Sequence, residues 1–218
     1  MNRVFVRETE KLKEALLRQA GEVESRLTSV LKGVETRDAE DLATLIDLDH
    51  EIDTREVVIE EDCLKILALH QPVARDLRFV IAILKINNDL ERIGDVIVNI
   101  ADRGIRLATF PTPDILGKAL EMGTLAGTML SDSINALVTL DLALAKNVIE
   151  RDDSVDRLNH EVVQTVINRV KTPENAGSVE ALILVKSMAR DIERIGDHAT
   201  NIAEDVAYLV DGTIIRHK

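Results

Sequence analysis

Apolar residues recur every three or four positions along almost the whole chain, and no run of period-two alternation lasts long enough for a strand. The pattern therefore predicts amphipathic helices throughout, ended where Gly, Pro and short polar clusters interrupt the period. Six long helices follow, over about 8–31, 38–69, 72–107, 113–138, 141–171 and 179–210. Gly33 stands at the end of the first, in a place suited to a left-handed cap. Arg37-Asp38-Ala39-Glu40 gives the second an acidic start that suits the helix dipole, and Asp141 opens the fifth as Asp38 opens the second. Pro72 suits the first turn of the third. Phe110-Pro111-Thr112-Pro113 divides the chain near its middle, and Thr172 to Gly177 makes the last hairpin turn.

The second half repeats the first. Glu-Arg-Ile-Gly-Asp occurs at Glu91–Asp95 and again at Glu193–Asp197, 102 positions later. Each copy sits in a longer match, from Asp89 to Asp102 and from Asp191 to Glu204. Self-similarity of this kind marks a duplicated unit. The predicted fold class is all-α, a tandem duplication of a three-helix antiparallel bundle, with one unit over 1–110 and the other over 111–218.

On a helical wheel Leu90, Ile93, Ile97, Ile100 and Ala101 share one arc, and Glu91, Asp95, Asn99 and Asp102 form a second arc beside it, with Gly94 on the seam. The later copy gives the same wheel, with Glu193, Asp197, Asn201 and Glu204 on the acidic arc and Gly196 on the seam. Carboxylates four apart repel by a few tenths of a kcal/mol in water and by more near a buried face. Glycine adds a helix penalty of roughly 0.8–1 kcal/mol relative to Ala. A bound cation would turn that repulsion into ligation. A solvated charged face, with Arg92 and Arg194 alongside, is the plain alternative.

A second acidic pair favours the cation. Asp49 and Asp53 precede the turn near 70–71 by about as many residues as Glu91 and Asp95 follow it, and Asp152 and Asp156 stand likewise to Glu193 and Asp197. Each antiparallel hairpin thus brings two acidic pairs to one height. Four such oxygens suit Mg²⁺, Mn²⁺, Ca²⁺ or oxygen-bridged iron. Glu56 and Glu60 lie on the same stripe but correspond to Asn159 and Val163, so the shared Asp pair ranks first. The five histidines do not repeat between halves and are read as surface or core residues.

A net charge of −12 with no basic run argues against nucleic acid as a partner. Aromatic residues are nearly absent, so the core must be built of Leu, Ile, Val and Ala. With Cys63 the single cysteine, no internal disulfide can form. The chain has no apolar stretch near the roughly 20 residues of a membrane span. Nor does Met1 to Arg7 read as a secretory segment, and a cytoplasmic location without membrane insertion is expected.

Gln71-Pro72-Val73-Ala74-Arg75-Asp76-Leu77-Arg78 and the two Glu-Arg-Ile-Gly-Asp segments, at this spacing and chain length, resemble the PhoU family of accessory and regulatory proteins of phosphate-specific transport. The resemblance covers nearly the whole chain. It implies a non-enzymatic regulator of phosphate uptake and a negative regulator of the phosphate-starvation response. The partners it implies are the importer's ATPase subunit and a membrane sensor histidine kinase, with the protein itself a homodimer. It also implies metal-binding acidic motifs, in some members multinuclear iron clusters. By position Asp49, Asp53, Glu91 and Asp95 make a first site, and Asp152, Asp156, Glu193 and Asp197 a second. Oxygen ligands discriminate poorly, so zinc, manganese and magnesium stand beside iron. The Gln71–Arg78 segment has no copy before the last helix, which makes Arg75 and Arg78 candidates for a partner surface in the first half alone. Two rival readings are a carboxylate-bridged di-metal enzyme and a metal-free helical scaffold. The first of these lacks the paired Glu-x-x-His motifs usual in such enzymes.

Overall fold

A computed structural model describes residues 3–48, 50–171 and 179–212. Among them the chain forms α1 (Arg3–Thr36), α2 (Ala39–Asp47), α3 (His50–His70), α4 (Ala74–Leu107), α5 (Leu116–Thr139), α6 (Leu142–Val170) and α7 (Val179–Asp211). The six-helix plan holds, with the second predicted helix present as two pieces, α2 and α3. Nothing local in the sequence breaks it there. The cause is tertiary: Arg26 of α1, only 4% exposed, donates from Nη1 to the Leu48 carbonyl at 2.8 Å. Glu51 N–H then closes a tighter turn onto the same oxygen at 3.1 Å.

The duplication reaches the caps. Asp38 accepts from the N–H groups of Glu40 and Asp41, each at 3.1 Å, and Asp141 accepts from those of Ala143 and Leu144 at 2.9 and 3.0 Å. Before each cap the chain reverses through a left-handed residue, Arg37 at φ 62° and Leu140 at φ 54°. Asp38 N–H and Asp141 N–H then bond to Gly33 O and Ala136 O, both at 3.0 Å. Gly33 is therefore not the left-handed cap. It lies inside α1, where a Cβ would stand 2.8 Å from Leu42 Cδ2. Its smallness admits Leu42, which is fully buried. Arg37 takes the strained conformation instead, and its guanidinium binds Thr112 Oγ1 at 2.6 Å, Ala108 O at 2.7 Å and Phe110 O. One side chain thus closes α1 and pins the inter-repeat linker.

Pro72 is likewise not a first-turn residue. Gln71 (φ 45°) and Ala74 (φ 50°) are left-handed on either side of Pro72-Val73, and α4 begins at Ala74, with Val73 as N-cap.

The repeats share one apolar core. Within it α4 packs on α7 and α1 on α5, so each repeat meets the other through the same two helices. The α4–α7 seam is antiparallel, as its ion pairs show: Lys85 with Asp205, Arg103 with Asp191 at 2.5 Å, and Arg106 with Glu180 at 3.5 Å. Ile83, Ile86, Leu90, Ile93, Ile97 and Ile100 line the buried side of α4, as the wheel requires.

Candidate functional site

In the second repeat Asp152 and Asp156 lie one turn apart on α6, and Glu193 and Asp197 one turn apart on α7. Gly196 explains how the two helices come close. A Cβ there would stand 3.3 Å from Val155 Cγ1, and buried Val155 lies between the two aspartates in sequence. The seam glycine thus serves helix approach. The four acids share one electrostatic neighbourhood. Asp197 faces partly outward, yet its carboxyl is pushed up to about 6, first by desolvation on its packed side and then by Asp152, Glu193 and Asp156, with His198 opposing. Burial likewise raises the Asp152 carboxyl, against the Thr200 hydroxyl that donates to its Oδ1 at 3.2 Å. Glu193 Oε2 accepts from Asn159 Nδ2 at 2.8 Å.

In the first repeat Asp53 of α3 and Asp95 of α4 both act on the Glu91 carboxylate, while Asp49 lies outside the described residues. Burial raises the Glu91 carboxyl most; Asp95, Asp53 and Glu56 push it further, and Arg92 opposes. Glu91 Oε2 is buried and accepts no hydrogen bond, with Arg92 Nε 3.5 Å away. Glu56, ranked behind the Asp pair on sequence, belongs to this neighbourhood, its own carboxyl raised by burial and then by Glu60 and Asp53.

A cleft of about 1080 Å³ runs between the repeats, and Asp53, Glu91, Asp95, Asp156 and Glu193 do not line it. Glu56, Glu60 and Asp89 line it from the first repeat, Asp152 and Asp197 from the second. Among the described residues no group of three or more His, Cys, Asp and Glu side chains is drawn together closely enough to hold a metal ion.

Sequence reasoning missed Asp89 and Asp191, the first residues of the repeated segment. Each crosses to the other repeat. Asp89 Oδ1 meets His198 Nδ1 at 2.8 Å and accepts from Asn201 at 3.4 Å, and Asp191 pairs with Arg103. Their recurrence in both copies was the available signal, but they lie off the acidic arc and the wheel passed over them.

Arg75 and Arg78 separate. Arg75 is exposed and lines a recess of about 410 Å³ with Phe5, Phe79 and Leu209. Arg78 is half-buried at the end of α7, its Cζ 3.7 Å from where a Gly212 Cβ would be. Around the α3–α4 turn Leu69 and Val73 are each 74% exposed. No helix among the described residues is long and apolar enough to cross a membrane.

Comparison with known proteins agrees with this architecture. The PhoU domain model matches twice, over residues 16–104 and 119–206. A protein of Deinococcus radiodurans named phosphate-specific transport system accessory protein PhoU homolog is 36% identical over 90% of this chain and 92% of its own length. The Serratia marcescens phosphate-specific transport system accessory protein PhoU is 32% identical over 98% and 87%. The crystal structure of PhoU from Pseudomonas aeruginosa superposes with a TM-score of 0.91 at 33% identity, covering 96% of this chain and all of that one. The phosphate transport system regulatory protein PhoU of Streptococcus pneumoniae gives 0.89 at 27%, covering 98% and again all of that chain. With two matched domains filling most of its length and relatives aligned nearly end to end, the chain belongs to the PhoU family.

Proposed function

We propose that this protein is a non-enzymatic regulator of phosphate-specific transport and of phosphate-starvation signalling. In this reading it is a metal-dependent adaptor between the phosphate importer's ATPase subunit and a sensor histidine kinase, acting in the cytoplasm as a homodimer. Its relatives' names support the accessory role. The observation that carries the metal-dependent part is Glu91, whose Oε2 is buried without a hydrogen-bond donor among carboxylates that raise each other's proton affinity. An all-oxygen donor set fits hard cations, iron, manganese and magnesium among them, and zinc less well. The holding residues are Asp49, Asp53, Glu91 and Asp95 in the first repeat and Asp152, Asp156, Glu193 and Asp197 in the second. Bound ions would supply the positive charge that offsets the repulsion, with open coordination positions for an anionic group.

The exposed α3–α4 turn, with Arg75 beside Leu69 and Val73, offers a partner surface that the second repeat does not copy. The test is a pull-down of importer ATPase and kinase domains, with metal content measured in parallel. Changing Glu91, Asp95, Glu193 and Asp197 together to Ala is expected to remove bound metal and weaken capture. Unchanged capture and unchanged repression in cells defeat the metal-dependent reading.

A further inference from the structure

α3 is apolar on two sides. Ile52, Ile59, Cys63 and Ile66 are buried on its inner side, where α3 packs on α1 and α4. Val57, Val58, Leu64 and Leu69 face the other way, and each is more than half exposed. A helix that is apolar all round is normally covered all round. The second repeat does not share the feature. The residues of α6 that match Val57, Val58, Leu64 and Ala68 are His160, Glu161, Ile167 and Lys171, and Glu161 is taken up by Lys118 of α5.

On a wheel the outward side of α3 has two apolar flanks, Val57, Leu64 and Ala68 on one and Val58 and Leu69 on the other, with Glu61 and Lys65 between them. An antiparallel copy laid on this side, with the two-fold axis level with Cys63, sets each flank against its own counterpart. Leu64 then meets the partner's Leu64 near the axis. Val57 meets the partner's Ala68, Val58 the partner's Leu69 and Glu61 the partner's Lys65, each twice over. The midpoints of all four pairs fall between residues 62 and 64, so one register sets apolar on apolar and acid on base. A register centred two residues earlier would set Glu61 on the partner's Glu61.

We propose that the outward side of α3 is the interface of the homodimer, closed by an isologous antiparallel pair of α3 helices. This rests on the homodimer reading above and deepens it by naming the surface. An isologous contact uses the same patch on both copies and stops at two, which suits a patch present in one repeat only. Glu61 and Lys65 already pair within the helix at 3.6 Å, and Lys65 reaches Asp62 at 3.2 Å. An ammonium has three donors, so Lys65 can serve the partner's Glu61 as well. The register ends at Leu69, which leaves Val73 and Arg75 open to another protein. From Val57 to Leu69 the strip is about 18 Å long, short of a standard interface, and self-association in the micromolar range is expected.

The experiment follows the full-length protein by sedimentation from micromolar concentrations upward. The parent should dimerise. Glu61→Lys and Lys65→Glu should each weaken self-association by at least about tenfold, since each sets like charges opposite one another. Mixing the two variants should restore dimers, because only the mixed pair faces acid with base at both places. A role confined to one helix predicts no such rescue. Leu64→Cys should give a disulfide-linked dimer on air oxidation, with Cys63 too buried to take part. Ile167→Cys, at the matching place on α6, should not. All four substitutions fall at exposed positions, so thermal melts should stay close to the parent's. Dimers that persist in both charge variants, or a Leu64→Cys protein that stays unlinked, overturn this interface while leaving the homodimer intact. Variants that dimerise as the parent does but lose capture of an importer ATPase or kinase domain give the face to another protein and equally overturn it. A parent that is monomeric at every concentration overturns both.

Discussion

The two repeats set equivalent helices side by side, but they fill equivalent positions differently. In α1 Gln19 and Arg26 are buried; the corresponding residues of α5, 103 positions on, are the fully buried Met122 and Met129. The second repeat is apolar at both places and its α6 runs unbroken. The first is polar at both and its second helix is interrupted at Leu48, where Arg26 has taken the carbonyl. Arg26 also bonds Glu22 at 2.8 Å and Glu51 at 3.2 Å; the residues matching these two acids are Leu125 and Ser154. The two copies keep one frame, while the copy with polar residues at these places has an interrupted helix beside its acidic site. The second repeat keeps the plain packing solution. The first carries the break, the extra glutamate and the unmatched Gln71–Arg78 segment.

The sharpest way to break this comparison is to move the arginine. Met129→Arg places a guanidinium in a core where α6 has no free carbonyl and Leu125 and Ser154 offer no charge. An unpaired buried charge is expected to cost about 4 kcal/mol or more, enough to lose the folded protein. Denaturant unfolding with circular dichroism reads it. A variant as stable as the parent would mean that the second core adapts to the arginine, and that the apolar character of that repeat is incidental.

A smaller change tests the other half of the contrast. Gln19 is fully buried, and neither its amide nitrogen nor its amide oxygen has a hydrogen-bond partner. Gln19→Met copies the residue of the second repeat into the first. Removing an unsatisfied buried amide at nearly constant volume should raise stability by about 1–2 kcal/mol. A loss of stability would show that the glutamine serves packing in a way the methionine cannot.

Much of this fold could be read in advance because its signals were local. Asp38 and Asp141 cap the helices they were expected to open, and the Ile and Leu spacing of α4 marks its buried side. What escaped was set across the sequence. The break at Leu48 is imposed by a guanidinium 22 residues earlier. Gly33 is small for the sake of Leu42 and not for a turn, and the left-handed residue is Arg37, whose side chain also reaches the linker. The bonds of Asp89 and Asp191 belong to the seam between repeats, which a wheel drawn for one helix does not contain. That Asp152 and Asp156 act on Asp197, and Asp53 on Glu91, agrees with counting residues either side of each hairpin, whereas no group of three or more acids among the described residues comes close enough to hold a metal. Asn159 and Thr200 as donors to Glu193 and Asp152 did not follow from counting, since hydrogen bonds depend on rotamers that spacing leaves open.

The smallest expected effect separates the acidic sites by pH. Asp197 titrates near 6 in the folded protein, above its ordinary value of 3.8, so the folded state holds the proton more tightly than the unfolded chain. Stability must then fall as pH rises from about 4 through 6, and the penalty is fully present above that window. Asp197→Asn removes the charge. It should flatten this part of the profile and raise stability at neutral pH by under about 1 kcal/mol, because Asp197 stays open enough to water to be screened. Glu91→Gln should act in the same direction, since its folded carboxyl is also raised. Glu91 has no hydrogen-bond donor on its buried oxygen, whereas Asp197 shares its neighbourhood with acids already bonded to Asn159 and Thr200. Melting temperatures measured without metal across this pH range supply the check. A profile that steepens after either substitution would mean that the carboxylate is held by favourable contacts, and the strain argued for both sites would be absent.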